Sequence, residues 1–274
     1  SMMYLKPEEI LKRHKKAFGA KENWRTIYEE CYQYALPQRN LYDGYYEGNI
    51  PGQGKMSRVF DSTGIHSVQR FANRIQSGLF PPYKKWCRLE PGNDIPNERK
   101  GETQQALDLY LDKLFAVLRQ SNFDLAIGEF LLDLSVGTAA MLIQPGDDLT
   151  PVTFTPVPQY LIALEEGPNG TVDNVYRRLR VTGDAVARQF PGANISPELQ
   201  RMIDDKPQEK IEFCEAVVVD PERKDYCYHV IHEKTNTELV YKRMDQSPWI
   251  VSRYMKVPGE VMGRGPLVTA LPDI

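Results

Sequence analysis

The 274-residue sequence predicts an α+β fold, in which a helical N-terminal half is followed by an antiparallel, β-rich half with short helices. Two observations predict it. Before Gly137, apolar residues recur every three or four positions, which is typical of amphipathic helices. After Gly137, β-branched and aromatic runs alternate with turn residues, which is typical of hairpins. The change of pattern divides the chain into residues 3–136 and 137–274.

Five helices are predicted in residues 3–136. Pro7 suits the first turn of a helix that continues to about Phe18, and a second helix runs from Asn23 until Pro37 ends it. Three further helices are predicted at 61–79, 98–119 and 122–134, with Asp61 or Ser62 and then Ser121 or Asn122 as N-terminal caps.

The apolar stripes of the last three helices give their predicted core faces. The stripe of the third helix ends at Leu79, and that of the fifth leaves Glu129 and Asp133 facing solvent. The fourth helix is expected to bury five apolar residues, which are Leu107, Tyr110, Leu111, Leu114 and Leu118.

Residues 37–57 separate the second helix from the third and are rich in proline and glycine. A stretch of that length without a periodic pattern is either mobile or functional, and we expect it to be poorly ordered in the isolated chain. Gly54-Lys55 does not form a phosphate-binding loop, because Asn49 and Met56 stand where that motif requires a glycine and a hydroxyl residue.

Eight strands are predicted in residues 137–274. They cover 138–144, 152–157, 160–165, 172–181, 211–219, 225–232, 238–242 and 249–255. Asn169-Gly170 suits a hairpin turn with positive φ, and Thr182 and Ser196 can each begin a short helix. Short polar turns join the last four strands, which predicts an antiparallel meander.

The charge balance and the cysteine spacing limit the class of protein. Lysine and arginine total 34 against 37 acidic residues, and a net charge of −3 argues against a surface that coats nucleic acid, so any DNA contact is local. No apolar run approaches the roughly 20 residues of a membrane helix, so no membrane partner is expected. The four cysteines form no C-x-x-C pair and predict free, buried thiols in a reducing compartment such as a cytosol.

Common catalytic and metal-binding motifs are absent from the sequence. His229 and His232 are three residues apart on a predicted strand and point to opposite faces, which predicts two surface histidines rather than a metal site. Glu129 and Asp133 could act as an acid–base pair only if one were buried. The sequence therefore predicts no enzyme, no catalytic residue, no cofactor and no metal.

Four basic residues are candidates for subunit or DNA contact. Lys84, Lys85 and Arg88 surround Trp86 after a double proline, and Arg264 lies between two glycines. Cations at such positions can contact the phosphates of a nucleic acid, and a nearby aromatic ring can stack on a base. The simpler interpretation is a packed Trp86 with solvated cations around it and an ordinary loop arginine.

Several stretches, in their order along the chain, resemble the head-to-tail connector (portal) proteins of short-tailed bacteriophages. They are Trp24 and Tyr34-Ala35-Leu36-Pro37; Phe60-Asp61-Ser62-Thr63-Gly64 with Pro81-Pro82 and Trp86; Ser121-Asn122-Phe123 with Gly137-Thr138-Ala139; and Gly259 to Pro266 with Ala270-Leu271-Pro272-Asp273. The similarity spans nearly the whole chain. None of these blocks is a chemical motif, so the resemblance rests on their order and spacing.

The resemblance implies a mechanical function and a fold like the wing region of a portal. Members of that family form a dodecameric ring at one capsid vertex of the virion. A terminase motor packs double-stranded DNA through the ring, scaffolding and capsid proteins assemble around it, and tail proteins attach to it. ATP hydrolysis belongs to the motor, so the resemblance carries over no catalytic residue. The protein would be made in the cytoplasm of the bacterial host.

The resemblance also sets expectations for this particular chain. Portal proteins continue into stem helices beyond the position of Ile274, so the sequence is expected to represent the N-terminal portion and to be a monomer or a small oligomer. One alternative is another phage structural or adaptor protein without a channel. The other is a hydrolase that uses Glu129 and Asp133.

Overall fold

Helices precede strands in the computed structural model, which describes residues 4–36 and 63–270. The five helices predicted for the N-terminal half are present. They are α1 (Pro7–Lys21), α2 (Arg25–Ala35), α3 (Thr63–Leu79), α4 (Asn97–Gln120) and α5 (Phe123–Leu134). The predicted mobile loop 37–57 and the predicted caps Asp61 and Ser62 lie outside the described residues.

The β-rich half follows α5, and the predicted α+β class is confirmed. Its strands are β1 (Thr138–Pro145), β2 (Val152–Val157), β3 (Ile162–Glu166), β4 (Val172–Thr182), β5 (Lys210–Asp220), β6 (Asp225–His232), β7 (Thr237–Met244) and β8 (Trp249–Arg253). Three short helices accompany them, α6 (Val186–Gln189), α7 (Pro197–Asp205) and α8 (Pro266–Ala270).

The strands form two antiparallel sheets, one in the order β2-β1-β8 and one in the order β3-β4-β5-β6-β7. Strands β5 to β7 form the predicted meander. The prediction that β8 continues this meander is wrong, because β8 pairs with β1 and sets Trp249 opposite Leu142. In this pairing the Trp249 side chain is buried in one core cluster with Leu142 of β1 and with Val175 and Val217 of the five-stranded sheet.

One face of the five-stranded sheet is covered by α1. Ile10 and Phe18 of that helix belong to a core cluster with Tyr176 of β4 and Ile231 of β6. The guanidinium of Arg178 lies over the Phe18 ring at 4.1 Å. A helix of the N-terminal half therefore packs on a sheet of the C-terminal half. The division at 136/137 into two units stays a prediction.

The three-stranded sheet is covered by α5, which packs beside α3. Phe123 and Phe130 of α5 join Met141 of β1 and Phe154 of β2 in a second core cluster. Asn122, just before α5, donates from Nδ2 to the Phe154 carbonyl at 2.7 Å and accepts from the Phe154 N–H at 2.9 Å. Because β2 is an edge strand, this amide occupies backbone groups that a foreign strand could otherwise pair with.

Two of the three turn and cap residues predicted for the β-rich half, Gly170 and Ser196, have their expected roles. Gly170 has a φ of 74° and its N–H donates to the Gly167 carbonyl, so the predicted hairpin turn is confirmed. Ser196 Oγ accepts the Leu199 N–H at 3.2 Å and begins α7. Thr182 does not cap a helix through its side chain, because its hydroxyl donates to Asp184 and a turn of 3₁₀ helix precedes α6.

The cysteines form no disulfide among the residues that the structure describes. Cys31, Cys214 and Cys227 are buried, as predicted, whereas Cys87 is exposed, contrary to that prediction. Cys87 follows Trp86, whose ring faces the core, so the next side chain along this extended segment points away from it.

A glycine contact joins the start of β1 to the chain before α8. A Cβ placed on Gly137 would lie 2.1 Å from the Gly263 carbonyl oxygen, and the φ of Gly137 is 146°. The Gly263 N–H donates to Thr138 Oγ1 at 2.8 Å, and the Gly265 N–H donates to the Val136 carbonyl at 3.0 Å. The two backbones therefore touch at a distance that only glycine permits.

We predict that Gly137→Ala destabilises the protein by roughly 2–4 kcal/mol, because the added methyl group overlaps backbone that cannot move freely. Gly101→Ala in α4 is the matched control, since a Cβ there meets no atom within 4 Å. The control should raise the free energy of unfolding by about 0.5–1 kcal/mol, as expected for an exposed helical glycine. Urea unfolding of both variants checks this, and equal stability of the two would contradict the close contact.

Candidate functional site

The segment that carries Lys84, Lys85 and Arg88 is held to the helical layer by Trp86. The Trp86 ring stacks on Phe123 with centroids 5.7 Å apart and meets the edge of Phe115 of α4 at 5.3 Å. The packed interpretation of Trp86 is therefore confirmed. These contacts set the three cations at the surface beside α4.

The charges of this segment meet acidic partners at the surface. Lys85 forms an ion pair with Asp112 of α4, and Arg88 Nε lies 3.8 Å from Glu90 Oε1. Both pairs are solvent-exposed, so each contributes little to stability and leaves its cation accessible to another partner. Gln104 of α4 donates to the Leu89 carbonyl at 2.9 Å and completes the attachment.

Arg264, the fourth candidate, lies in a different environment. Its guanidinium covers the Trp24 ring at 4.8 Å, and its Nε donates to Glu260 at 2.9 Å. The structure thus places Lys84, Lys85 and Arg88 on one segment and engages Arg264 within the chain near α2. A role of any of the four in subunit or DNA contact stays a prediction.

Helix α4 exposes three large apolar side chains to solvent, two of which the periodicity of the sequence predicts to be buried. Leu109 is 65% exposed and Tyr110 57% exposed, and Leu114 is also exposed. The expectation that Tyr110 and Leu114 are buried is wrong, because α4 turns Leu111 and Phe115 inward, with Leu118 partly buried against the second core cluster. Apolar residues lie all around α4, so the helical repeat of 3.6 residues per turn does not identify which face is buried.

A second exposed apolar pair lies where α3 meets α5. Gln76 of α3 donates to the Asp124 carbonyl at 3.1 Å, which brings the end of α3 beside the first turn of α5. Leu79 and Leu125 follow these two residues and are both exposed, so the prediction that Leu79 faces the core is wrong. Leu79 is the last residue of α3, and the side chains of α5 do not cover it.

We define the helical surface as Leu109, Tyr110 and Leu114 of α4, on a helix about 36 Å long. The segment 84–88 attaches to α4 through Gln104, Asp112 and Phe115, which lie on the side of the helix away from Tyr110 and Leu114. Large exposed apolar groups on a folded chain indicate an interaction surface. The periodicity of α4 does not reveal this surface, although the many apolar residues within 107–118 are consistent with two apolar faces.

The carboxylates considered for acid–base chemistry do not form a pair in solvent. Glu129 is exposed, but Asp133 is fully buried, so the prediction that both face solvent is wrong. The Tyr32 hydroxyl of α2 donates to Asp133 Oδ1 at 3.1 Å. This partner, 101 residues away in sequence, explains how a carboxylate sits inside the apolar layer.

The two close histidines are also buried rather than at the surface, so that prediction is wrong. His229 donates from Nδ1 to Glu238 at 2.9 Å, and His232 packs against Phe213 with centroids 5.6 Å apart. They lie on opposite faces of β6, as expected for residues three apart. Across residues 4–36 and 63–270, no His, Cys, Asp or Glu cluster could hold a metal ion.

One open cleft of about 530 Å³ lies between α7 and strands β5 and β6. Its charged lining contains four cations and four acids, which are Arg180, Lys206, Lys210, Lys234, Asp205, Glu209, Glu212 and Glu233. Because the positive and negative charges balance, the cleft favours neither an anionic nor a cationic ligand.

We predict that Tyr32→Phe lowers the free energy of unfolding by about 1–3 kcal/mol, because it removes a hydrogen bond to a buried carboxyl group. Glu129→Gln on the exposed side of the same helix is the control and should change stability by less than about 0.5 kcal/mol. Thermal or urea unfolding measures both. A Tyr32→Phe protein as stable as the parent would show that Asp133 does not depend on this bond.

The comparisons with known proteins agree with a structural role. The family model described as bacteriophage head to tail connecting protein matches residues 7–274. A search of curated proteins found no match. Within the part of the chain that the structure describes, no helix is both long and apolar enough to cross a membrane. Because the match covers almost all of the sequence, the chain belongs to the bacteriophage head-to-tail connecting protein family.

Proposed function

We propose that this chain is the wing region of a portal, a ring of identical subunits through which double-stranded DNA enters the phage head and later leaves it. The observation that carries the proposal is the family match over residues 7–274. The family name describes a link between head and tail, which is a structural role in the virion. The ring, its channel and its position at one capsid vertex are the parts that we propose.

The packing of the described residues supports a structural role. Two sheets and five helices share apolar cores, and the one buried carboxylate of the suspected acid–base pair is bound by Tyr32. This arrangement favours a connector over the hydrolase that Glu129 and Asp133 could have formed. The partners that we propose are the terminase motor, scaffolding and capsid proteins, tail proteins and the DNA itself.

The helical surface supports assembly into a ring. A ring needs two different surfaces on each subunit, and at least one of them must be open before assembly. Leu109 and Tyr110 are largely exposed on α4, and such residues gain free energy when a neighbouring subunit covers them. Lys84, Lys85 and Arg88 are exposed on the side of α4 that carries Asp112, where they would offer a separate contact to acidic groups of a neighbour or to DNA.

Electron microscopy tests the proposal most simply. We expect the product of the complete reading frame, examined by negative stain, to form rings with a central hole of the width of a DNA duplex, and we expect twelve subunits. Well-separated particles without a hole, also in the presence of the scaffolding protein, would contradict the ring. They would favour a phage structural or adaptor protein that has no channel.

We predict that the double variant Leu109→Glu, Tyr110→Glu abolishes ring formation while the fold persists, because two charges would replace the apolar contact. Leu149→Glu, which alters a still more exposed leucine in the turn between β1 and β2, is the control and should leave the rings intact. Sedimentation velocity measures assembly, and circular dichroism measures folding. If both variants form rings equally well, the helical surface is not part of the subunit interface.

A further inference from the structure

Helix α1 attaches to the five-stranded sheet through a stripe that contains two ionisable bases. Its buried residues are Ile10, His14, Ala17, Phe18 and Lys21, at the spacing of one helical face. A histidine and a lysine in such a stripe are unusual, because burial disfavours their charged forms. The attachment of this helix should therefore depend on the protonation of its own core residues.

His14 lies between aromatic rings and a backbone carbonyl. Its ring centroid is 4.7 Å from that of Phe18 and 5.8 Å from that of Tyr176, and Nε2 donates to the Arg177 carbonyl at 3.3 Å. The charged groups of the sheet that act on it are Arg178 of β4 and Glu212 of β5, and Arg13 and Lys15 flank it in α1. A second proton would have to enter this apolar site beside the Arg178 cation.

A second buried imidazole lies under the residues that lead into α1. His229 of β6 is fully buried, and the Tyr4 ring lies over it with centroids 6.4 Å apart. Glu238 accepts hydrogen bonds from Tyr4 Oη at 2.6 Å and from His229 Nδ1 at 2.9 Å. His229 Nε2 is buried and has no hydrogen-bond acceptor among the described residues, so a proton added there would be unsatisfied.

We propose that α1 and the preceding Tyr4 form an acid-releasable cover over one face of the five-stranded sheet. The cover stays in place while His14 and His229 are neutral. It leaves the sheet as a unit when they become protonated, and the rest of the two-sheet body remains folded. Release would expose Tyr176 and Ile231, which α1 now covers.

The electrostatics of the two imidazoles support this direction. Burial, assisted by Arg178, lowers the pKa of His14 from its ordinary 6.5 to about 4, although the Arg177 carbonyl and Glu212 oppose the shift. Burial also lowers the pKa of His229, against the opposing effect of Glu238. Tyr241, whose ring is 5.0 Å from that of His229, is the other titratable group facing it.

The sign of the pH dependence follows from these shifts. The released state binds a proton at His14 below pH 6.5, whereas the attached state resists it until about pH 4. Acidification between these limits therefore shifts the equilibrium toward release, by on the order of 300-fold for His14 alone.

Lys21 gives the end of α1 a further link between attachment and pH. Its ammonium group donates to the carbonyls of Gln159 and Ile162, the second at 2.6 Å. Burial and the nearby Arg178 lower the pKa of Lys21 to about 7, while Glu22 opposes that shift. Acidification from pH 10.5 to about 7 therefore favours release, because the released side chain takes up a proton that the attached one resists. Below pH 7 Lys21 is charged in both states, so it adds nothing to the release that the histidines drive between pH 7 and pH 4.

Hydrogen exchange measured by mass spectrometry tests the proposal on the whole chain. After correction for intrinsic rates, protection of α1 peptides should fall by at least about 100-fold between pH 7 and pH 4.5, whereas peptides of β1 and β5 keep theirs. Protection of α1 that persists at pH 4.5, or is lost together with that of both sheets, would overturn the proposal.

Two further measurements keep the test independent of global unfolding. His14→Gln retains a side-chain donor for the Arg177 carbonyl but cannot titrate, so release should shift to lower pH. His66→Gln, on an exposed residue of α3, is the control and should leave the release pH unchanged. If His14→Gln does not fold, exchange of the histidine C2 hydrogens in the parent chain provides each pKa directly. Values near 6.5 for His14 and His229 would overturn the proposal.

Discussion

The contact between Gly137 and the backbone of residues 263–265 is the constraint on which the rest of the architecture depends. Gly137 stands where α5 has ended and β1 begins, and the Gly263 carbonyl lies where a side chain would otherwise be. The Leu267 N–H donates to the Ser135 carbonyl at 3.0 Å, which extends the contact into α8. Since β1 is the central strand of its sheet and follows α5 directly, this contact ties the end of α5 and the three-stranded sheet to the chain that leads into α8.

The helices differ in how they use their apolar surface, and this difference connects the fold to the function. α1 and α5 bury theirs on the two sheets, whereas α4 leaves Leu109 and Tyr110 in solvent. Isolated helices of such length owe most of their stability to packing, so α4 is the element with most to gain from a partner. A connector between a head and a tail requires surfaces of this kind on a rigid body.

Local patterns predicted the elements well and their partners poorly. The bounds of β2 and β6 were predicted to the residue, because proline and turn residues bracket their alternating sequences. The pairing of β8 with β1 could not be predicted, since strand periodicity defines a face but no neighbour. Asp133 and His229 were placed at the surface because their partners, Tyr32 and Glu238, become visible only in three dimensions. The connector role could be predicted from the order of several sequence blocks along the chain. No single residue of the candidate site indicates that role.

An asymmetric cryo-electron microscopy reconstruction of the intact virion would show where this chain lies in the particle. We expect the fold at the single vertex where head and tail meet, in a closed ring around the DNA, with α4 against the neighbouring subunit. Density for the fold at any other position, or at that vertex without a ring, would contradict this expectation.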